Sequence, residues 1–260
     1  MRKLSMVLGT VVALAACGGG EGGTRVASSD PFCQRVMPAV ASFMAQAREK
    51  HPVPDDPRYG GTVVVGGISD LSDGMNAAVS TDYYGTQHQD FLNLMTLVEY
   101  DENAQPVPYL AKSWDVSPDG TAITFHLRDD VYWHDGEITN AHDVAFTYEV
   151  DTDPLTAYPN ASYWDHYVKG SEGIEVLDDF TVRVHLRPHA EFMDPWRVVG
   201  ILPEHLLGDV PHDELRLHPF GTQCPVGNGP YVFAEHRAQD RWIFEASSAG
   251  GPSRTATSIA

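Results

Sequence analysis

The side chains best equipped to do chemistry in this chain are two acidic doublets, Asp129-Asp130 and Asp178-Asp179, and twelve histidines scattered over 260 residues. Two carboxylates can share acid and base work when they converge across a cleft and their surroundings push their pKa values apart. Chain neighbours tend to point apart, so the doublets read as solvated turn residues, and a hydrolase built on an acidic pair is held as an alternative. His185 and His189 have three residues between them, but one ends a strand and the other follows Pro188, so they need not share a face. No metal site, cofactor or catalytic residue is assigned. No Gly-x-Ser-x-Gly elbow, His-Glu-x-x-His, phosphate-cradling glycine loop or Cys-x-x-Cys pair occurs. Gly227-Asn228-Gly229 comes nearest to a dinucleotide pattern, yet it lacks the third glycine and runs into Pro230, which makes it a turn.

The charge balance narrows the partners. With 17 Lys and Arg against 36 Asp and Glu, the net charge is −19, and a basic face for phosphate is lacking, so nucleic acid is not a partner. A hydrophobic content of 42% excludes a wholly disordered chain. Residues 1–16 carry Arg2 and Lys3, an apolar run from Leu4 to Leu14 and small residues, which is the layout of a signal peptide. That run is far shorter than the roughly 20 residues of a membrane-spanning helix. Leu14-Ala15-Ala16-Cys17 resembles a bacterial lipobox, which implies lipidation of Cys17 and a membrane anchor without a span. Removing Arg2 and Lys3 leaves 15 basic residues against 36 acidic ones, a charge of about −21. Residues 17–30 are mostly glycine and small residues, a flexible tether. The remaining cysteines, Cys33 and Cys224, either bridge in an oxidising envelope or stay as buried thiols; the bridge is the reading adopted.

The elements that must position any site are mixed. Phe32, Val36, Val40, Phe43 and Ala47 recur at helical spacing, with Pro38 expected to confine the regular helix to its C-terminal side. Thr62-Val63-Val64-Val65 between glycines predicts a buried strand. Residues 68–84 read as loop, and Phe91, Leu94, Met95 and Val98 as one helix face ended by the turn Asp101-Glu102-Asn103. Ile123, Phe125 and Leu127 alternate with polar residues, as do Phe180, Val182, Val184 and Leu186, so both segments are strands. His134-Asp135-Gly136 is a turn, and Thr139 is expected to cap a helix carrying Val144, Phe146 and Tyr148. Residues 231–236 and 241–246 form a hairpin, and 247–260 have no period and read as a disordered or aberrant tail. Consecutive strands together with helices give an α/β class, of mixed α+β type.

One series of motifs is more specific than its parts. Residues 108–120, Pro-Tyr-Leu-Ala-Lys-Ser-Trp-Asp-Val-Ser-Pro-Asp-Gly, are followed by Thr124-Phe125-His126-Leu127-Arg128, then Val131-Tyr132-Trp133-His134-Asp135-Gly136, then Thr139 to Tyr148. In order and spacing this series resembles the extracellular solute-binding proteins of family 5, the peptide and nickel binding components of ABC importers. Val176 to Leu186, Ile201 to Leu207 and Gly227-Asn228-Gly229-Pro230-Tyr231 match as well, so the resemblance covers about residues 60–246.

The resemblance implies a periplasmic-binding-protein-like first lobe of class II type in residues 31–246. It implies a lipid-anchored receptor on the periplasmic side of the bacterial envelope, a monomer that captures peptides or similar small solutes and delivers them to a membrane permease. By family position, the ligand-facing candidates are Ser80, Thr81, Asp82 and Tyr83 after the first strand, and Asn160, Tyr163 and Trp164. Asn160 stands where oligopeptide binders of the family carry a tyrosine. The family pattern stops after Arg241 to Ala246, so the resemblance also implies a truncated or frameshifted receptor with the second lobe absent. A one-lobed interaction module and an envelope hydrolase are the alternatives.

Overall fold

The structure, a computed structural model, describes residues 28–52, 60–66, 74–76, 79–80, 85, 87, 89–170, 173–189 and 191–248. Expectations for residues 1–16, Cys17, Thr81, Asp82, Tyr83 and 249–260 lie outside the described residues. Helix α1 spans Pro31–Lys50. Asp30 starts it by accepting from the Phe32 amide at 2.8 Å, Pro31 occupies the first turn, and Arg48 and Lys50 offset the dipole at its end. Cys33, Val36, Val40, Met44 and Ala47 form its buried stripe. The helix runs through Pro38, which corrects the expected restriction. Pro38 lies on the exposed face, where water can serve the Gln34 carbonyl that the proline leaves without a donor, and the buried stripe on the opposite face holds both halves in line.

Strands β1 (Val98–Tyr100) and β2 (Pro106–Pro108) pair antiparallel around the turn at Asp101, whose Oδ1 accepts from the Asn103 and Gln105 amides. The helix expected over 91–98 is replaced by a π-helical turn at Gln89–Asn93 followed by extended chain. Leu94, Met95, Leu97 and Val98 are all buried, so this apolar run is enclosed on every side, and periodicity cannot separate helix from strand there.

The central sheet contains β3 (Ala111–Val116), β4 (Ala122–Leu127), β5 (Ile174–Asp178) and β6 (Thr181–His185) in the order β3-β4-β6-β5, antiparallel throughout. Phe125 pairs with Trp114 on one side and Val182 on the other, and Ile123 with Val116 and Val184. The alternation of the sequence is thus the alternation of the pleat, with Ile123, Phe125, Leu127, Val182 and Val184 buried. Helix α2 (Ala141–Thr152) packs on β5 and β6. Its cap is Asn140 and not Thr139: the Asn140 side chain accepts from His142 N, and Asp143 Oδ2 accepts from Asn140 N, closing a capping box. Thr139 is buried one residue earlier and serves a different bond, described below.

Short helices α3 (Ala161–Tyr167), α4 (Pro195–Val198), α5 (Glu204–Leu207) and α6 (Pro219–Thr222), with a 3₁₀ turn at His212–Leu217, wrap the core. The chain then forms the hairpin β7 (Tyr231–Arg237) and β8 (Arg241–Ala246), as its sequence pattern predicts. Cys33 and Cys224 form a disulfide with Cα atoms 5.8 Å apart, and Phe233 of β7 packs against them.

The expected buried strand Thr62–Val65 does not form. Val63, Val64 and Val65 are 88%, 88% and 71% exposed, and the segment pairs with no strand among the described residues. A β-branched run is stable as a strand only with a neighbour to complete its hydrogen bonds and cover its side chains.

Candidate functional site

The most organised polar centre lies where four segments meet at Gly227-Asn228-Gly229. His134 N donates to Gly227 O at 2.7 Å, His134 Nε2 donates to Gly229 O at 3.0 Å, and Gly229 N donates to Asn93 O at 2.9 Å. Asn228 bridges the rest: its Oδ1 accepts from Met95 N at 2.8 Å, and its Nδ2 donates to Thr139 Oγ1 at 3.2 Å. Asn228, Thr139 and His134 are all buried. The turn read from the sequence is therefore a backbone junction between the π turn, the His134 loop, α2 and the β7–β8 hairpin.

His134 Nε2 carries the proton, since its partner is a carbonyl, and the buried Nδ1 has no hydrogen-bond partner. Charging the ring would bury an N–H without an acceptor, and burial lowers its pKa from 6.5 to about 4. The folded form thus binds fewer protons than the unfolded chain between these values. His134 should contribute its full stability above pH 6.5 and lose it as the pH falls toward 4, a swing of about 3 kcal/mol. Asp143, whose carboxyl burial pushes upward, acts in the opposite sense at lower pH. Chemical denaturation at a series of pH values should show stability falling with acid, and His134→Leu should flatten that slope. An equally steep slope in the variant would disprove the assignment.

The ligand-facing candidates separate. Ser80 is buried, and its amide donates to Asn76 O at 2.9 Å; it is the one member of 80–83 among the described residues. Asn160 is exposed at the start of α3 and its side chain makes no capping bond. Tyr163 is half-buried, with its ring 4.9 Å from Tyr167. Trp164 is only 3% exposed, its Nε1 donates to Asp151 Oδ2 at 3.1 Å, and its ring lies 5.2 Å from Tyr148 and 5.5 Å from Trp196. Trp164 is therefore a core residue, which corrects its expected ligand-facing role. In the helix 161–167, position 164 falls on the side turned to α2, whereas 160 and 163 are partly open.

Beside Tyr163 the structure gathers residues that sequence reasoning missed. Tyr100 Oη donates to Asp194 Oδ1 at 2.8 Å, and the Arg197 guanidinium lies over the Tyr100 ring at 5.2 Å. Burial and the Asp194 carboxylate push the Tyr100 hydroxyl up to about 12. Burial and a hydrogen bond with Tyr167 also raise Tyr163, which senses both Asp194 and Tyr100. Residues 100, 163, 194 and 197 come from β1, α3 and α4, and no spacing in the sequence announces that they meet.

In each acidic doublet one carboxylate is taken up by a local bond. Asp130 is held by Arg128 through Nε to Oδ1 at 2.8 Å and Nη2 to Oδ2 at 2.9 Å, and this guanidinium lowers its pKa. A carboxylate so held favours its ionised form, the opposite of what the proton donor of such a pair needs. Asp178 Oδ1 accepts from Phe180 N and closes the β5–β6 turn. Among the described residues no group of three or more His, Cys, Asp or Glu could hold a metal; His189 Nδ1 instead accepts from Glu191 N. A cavity of about 10 Å³ between Val144, Tyr148, Trp164, Trp196 and Ile201 is apolar and too small for a solute.

Residues 105–249 match the model of the bacterial extracellular solute-binding proteins, family 5, middle region. The oligopeptide-binding protein AppA of Bacillus subtilis is 30% identical over 181 residues, covering 69% of this chain and 32% of its own. The solved structure of AppA in complex with a nonapeptide superposes with a TM-score of 0.68 at 28% identity, over 76% of this chain and 39% of that one. NikZ from Campylobacter jejuni, solved in complex with Ni(L-His), gives a TM-score of 0.59 at 31% identity, over 70% and 35%. The chain spans about a third of the length of the curated relatives it matches.

Proposed function

Because this chain belongs to the bacterial extracellular solute-binding proteins of family 5, we propose that it supplies the first lobe of an ABC-importer receptor that captures peptides or similar small solutes. The observation that carries the reading is the likeness, over 76% of this chain, to an oligopeptide-binding protein solved with a nonapeptide. Its solute would meet Asn160 and the open edge of Tyr163, beside Tyr100 and Asp194, and by family position Ser80, Thr81, Asp82 and Tyr83 as well. Extended peptides suit such a face because their backbone supplies hydrogen bonds whatever their sequence. We read the protein as a binder and not as an enzyme, acting as a monomer and handing its solute to a membrane permease.

Family membership supports an envelope location, and no described helix is long and apolar enough to cross a membrane. The proposal adds a lipid anchor at Cys17 after removal of residues 1–16, with 17–30 as tether and 31–246 as part of the binding domain. One set of preparations tests both statements. Titration calorimetry of the purified chain with a random tripeptide pool should show saturable heat. Asn160→Ala, at an exposed position without a cap bond, should weaken it about three- to tenfold. Cys17→Ala should move the chain from the membrane to the soluble fraction. Absence of heat with peptides overturns the ligand class, and unchanged membrane partition of the Cys17 variant overturns the anchor.

A further inference from the structure

A groove of about 360 Å³ opens between the end of β2 and the loop after β4, lined by Pro108, Tyr109, Lys112, Arg128, Asp129 and Asp130. Its size falls within the roughly 300–1,000 Å³ of small-molecule sites. It belongs to the central sheet and shares none of its lining with Ser80, Asn160 or Tyr163. Its charges are unusually distributed. Arg128 and Asp130 form the two-point ion pair described above, and both border the groove. The Lys112 ammonium and the Asp129 carboxylate both border the same space. Among the described residues neither has an ion-pair or hydrogen-bond partner, and Lys112 is close enough to stabilise the Asp130 anion electrostatically. Two opposite charges that line one groove without pairing with each other present a donor and an acceptor for a ligand that carries the complementary charges.

We propose that this groove binds a small zwitterion, such as a free α-amino acid, with its carboxylate on Lys112 and its ammonium on Asp129. The Arg128–Asp130 pair borders the same groove, and Lys112 sits at the bulge of β3 between Ala111 and Ser113. Tyr109 is buried and Pro108 exposed, so they supply an apolar side against which a short aliphatic chain packs. Both recognition charges are solvent-exposed, so affinity is modest and falls with salt.

The test uses the purified chain, uniformly labelled with nitrogen-15, titrated with L-alanine at low ionic strength and followed by amide chemical shifts. Saturable shifts at 109–112 and 128–130 are expected. N-acetyl-L-alanine, which lacks the ammonium, and L-alanine amide, which lacks the carboxylate, should each bind at least fivefold more weakly. Lys112→Gln and Asp129→Asn should weaken alanine by about three- to tenfold while leaving the spectrum folded, because both side chains are exposed. The proposal is overturned by no saturable shift up to 50 mM alanine, by shifts confined to other residues, or by equal binding of the blocked analogues. Peptide capture at the Asn160 face is measured separately, so failure of one reading leaves the other standing.

Discussion

Loss of the Cys33–Cys224 bridge is expected to destabilise the fold by about 4–5 kcal/mol, the upper end for a cross-link, because the two cysteines are separated by 191 residues. The cross-link excludes a large fraction of unfolded conformations and ties the start of α1 to the segment that leads into the Gly227 junction. Phe233, Trp242 and Phe244 pack beside it in a cluster separate from the main core. The double substitution Cys33→Ser with Cys224→Ser should therefore lower the midpoint of denaturant unfolding, and the hairpin amides should exchange fastest. Urea titrations of oxidised, reduced and substituted chains measure this. Equal midpoints in all three would show that the bridge constrains nothing, and two free thiols in the non-reduced chain would remove it altogether.

Gly227→Ala is the second change of large effect. An added Cβ there would lie 1.7 Å from the Asn93 carbonyl oxygen and 2.6 Å from its carbon, both backbone atoms. Nothing flexible can give way. Relief requires the π turn or the junction to move, and with it the bonds from Gly229 N to Asn93 O and from Met95 N to Asn228 Oδ1. A cost of about 3 kcal/mol or more is expected, and the variant should unfold at a much lower urea concentration or accumulate as aggregate. Gly66→Ala meets nothing within 4 Å and serves as the control. Gly120→Ala, also in open space but at φ +66°, should cost only about 1 kcal/mol of backbone strain. If Gly227→Ala matched Gly66→Ala, the close approach at the junction would be wrong.

The two experiments probe the same feature from different sides. The disulfide and the Gly227 turn are consecutive anchors on one stretch of chain, residues 224–229, that ties together segments nearly 200 residues apart. The turn was legible as a turn because Gly-Asn-Gly-Pro has no other use in a sequence of this kind. Its task as a junction was not legible, because that depends on the Asn93 carbonyl and the His134 ring arriving from distant parts of the chain.

The strands Ala122–Leu127 and Thr181–His185, the helix Ala141–Thr152 and the hairpin at 231–246 were readable from period and turn chemistry, because each carries its pattern within a few residues. The run at 62–65 was misread for the opposite reason. Its composition is that of a buried strand, but burial is conferred by a neighbour, and a local pattern contains no information about whether one is present. The segment 91–98 failed similarly, since enclosure on all sides erases the contrast between faces on which periodicity depends.

The candidate site divides along the same line. Family position alone brought Asn160 and Tyr163 forward from the sequence, and the motif series pointed to the family to which the chain belongs. Only the tertiary structure decided that Trp164 turns inward onto Asp151, that Tyr100, Asp194 and Arg197 assemble beside Tyr163, and that Asp130 is paired with Arg128 while Asp129, without an ion-pair partner among the described residues, borders a groove. The physical reason is common to all three. Residue type and local period set what a side chain can do, whereas its solvation and its charged neighbours, which set what it does, come from segments that meet only when the chain folds.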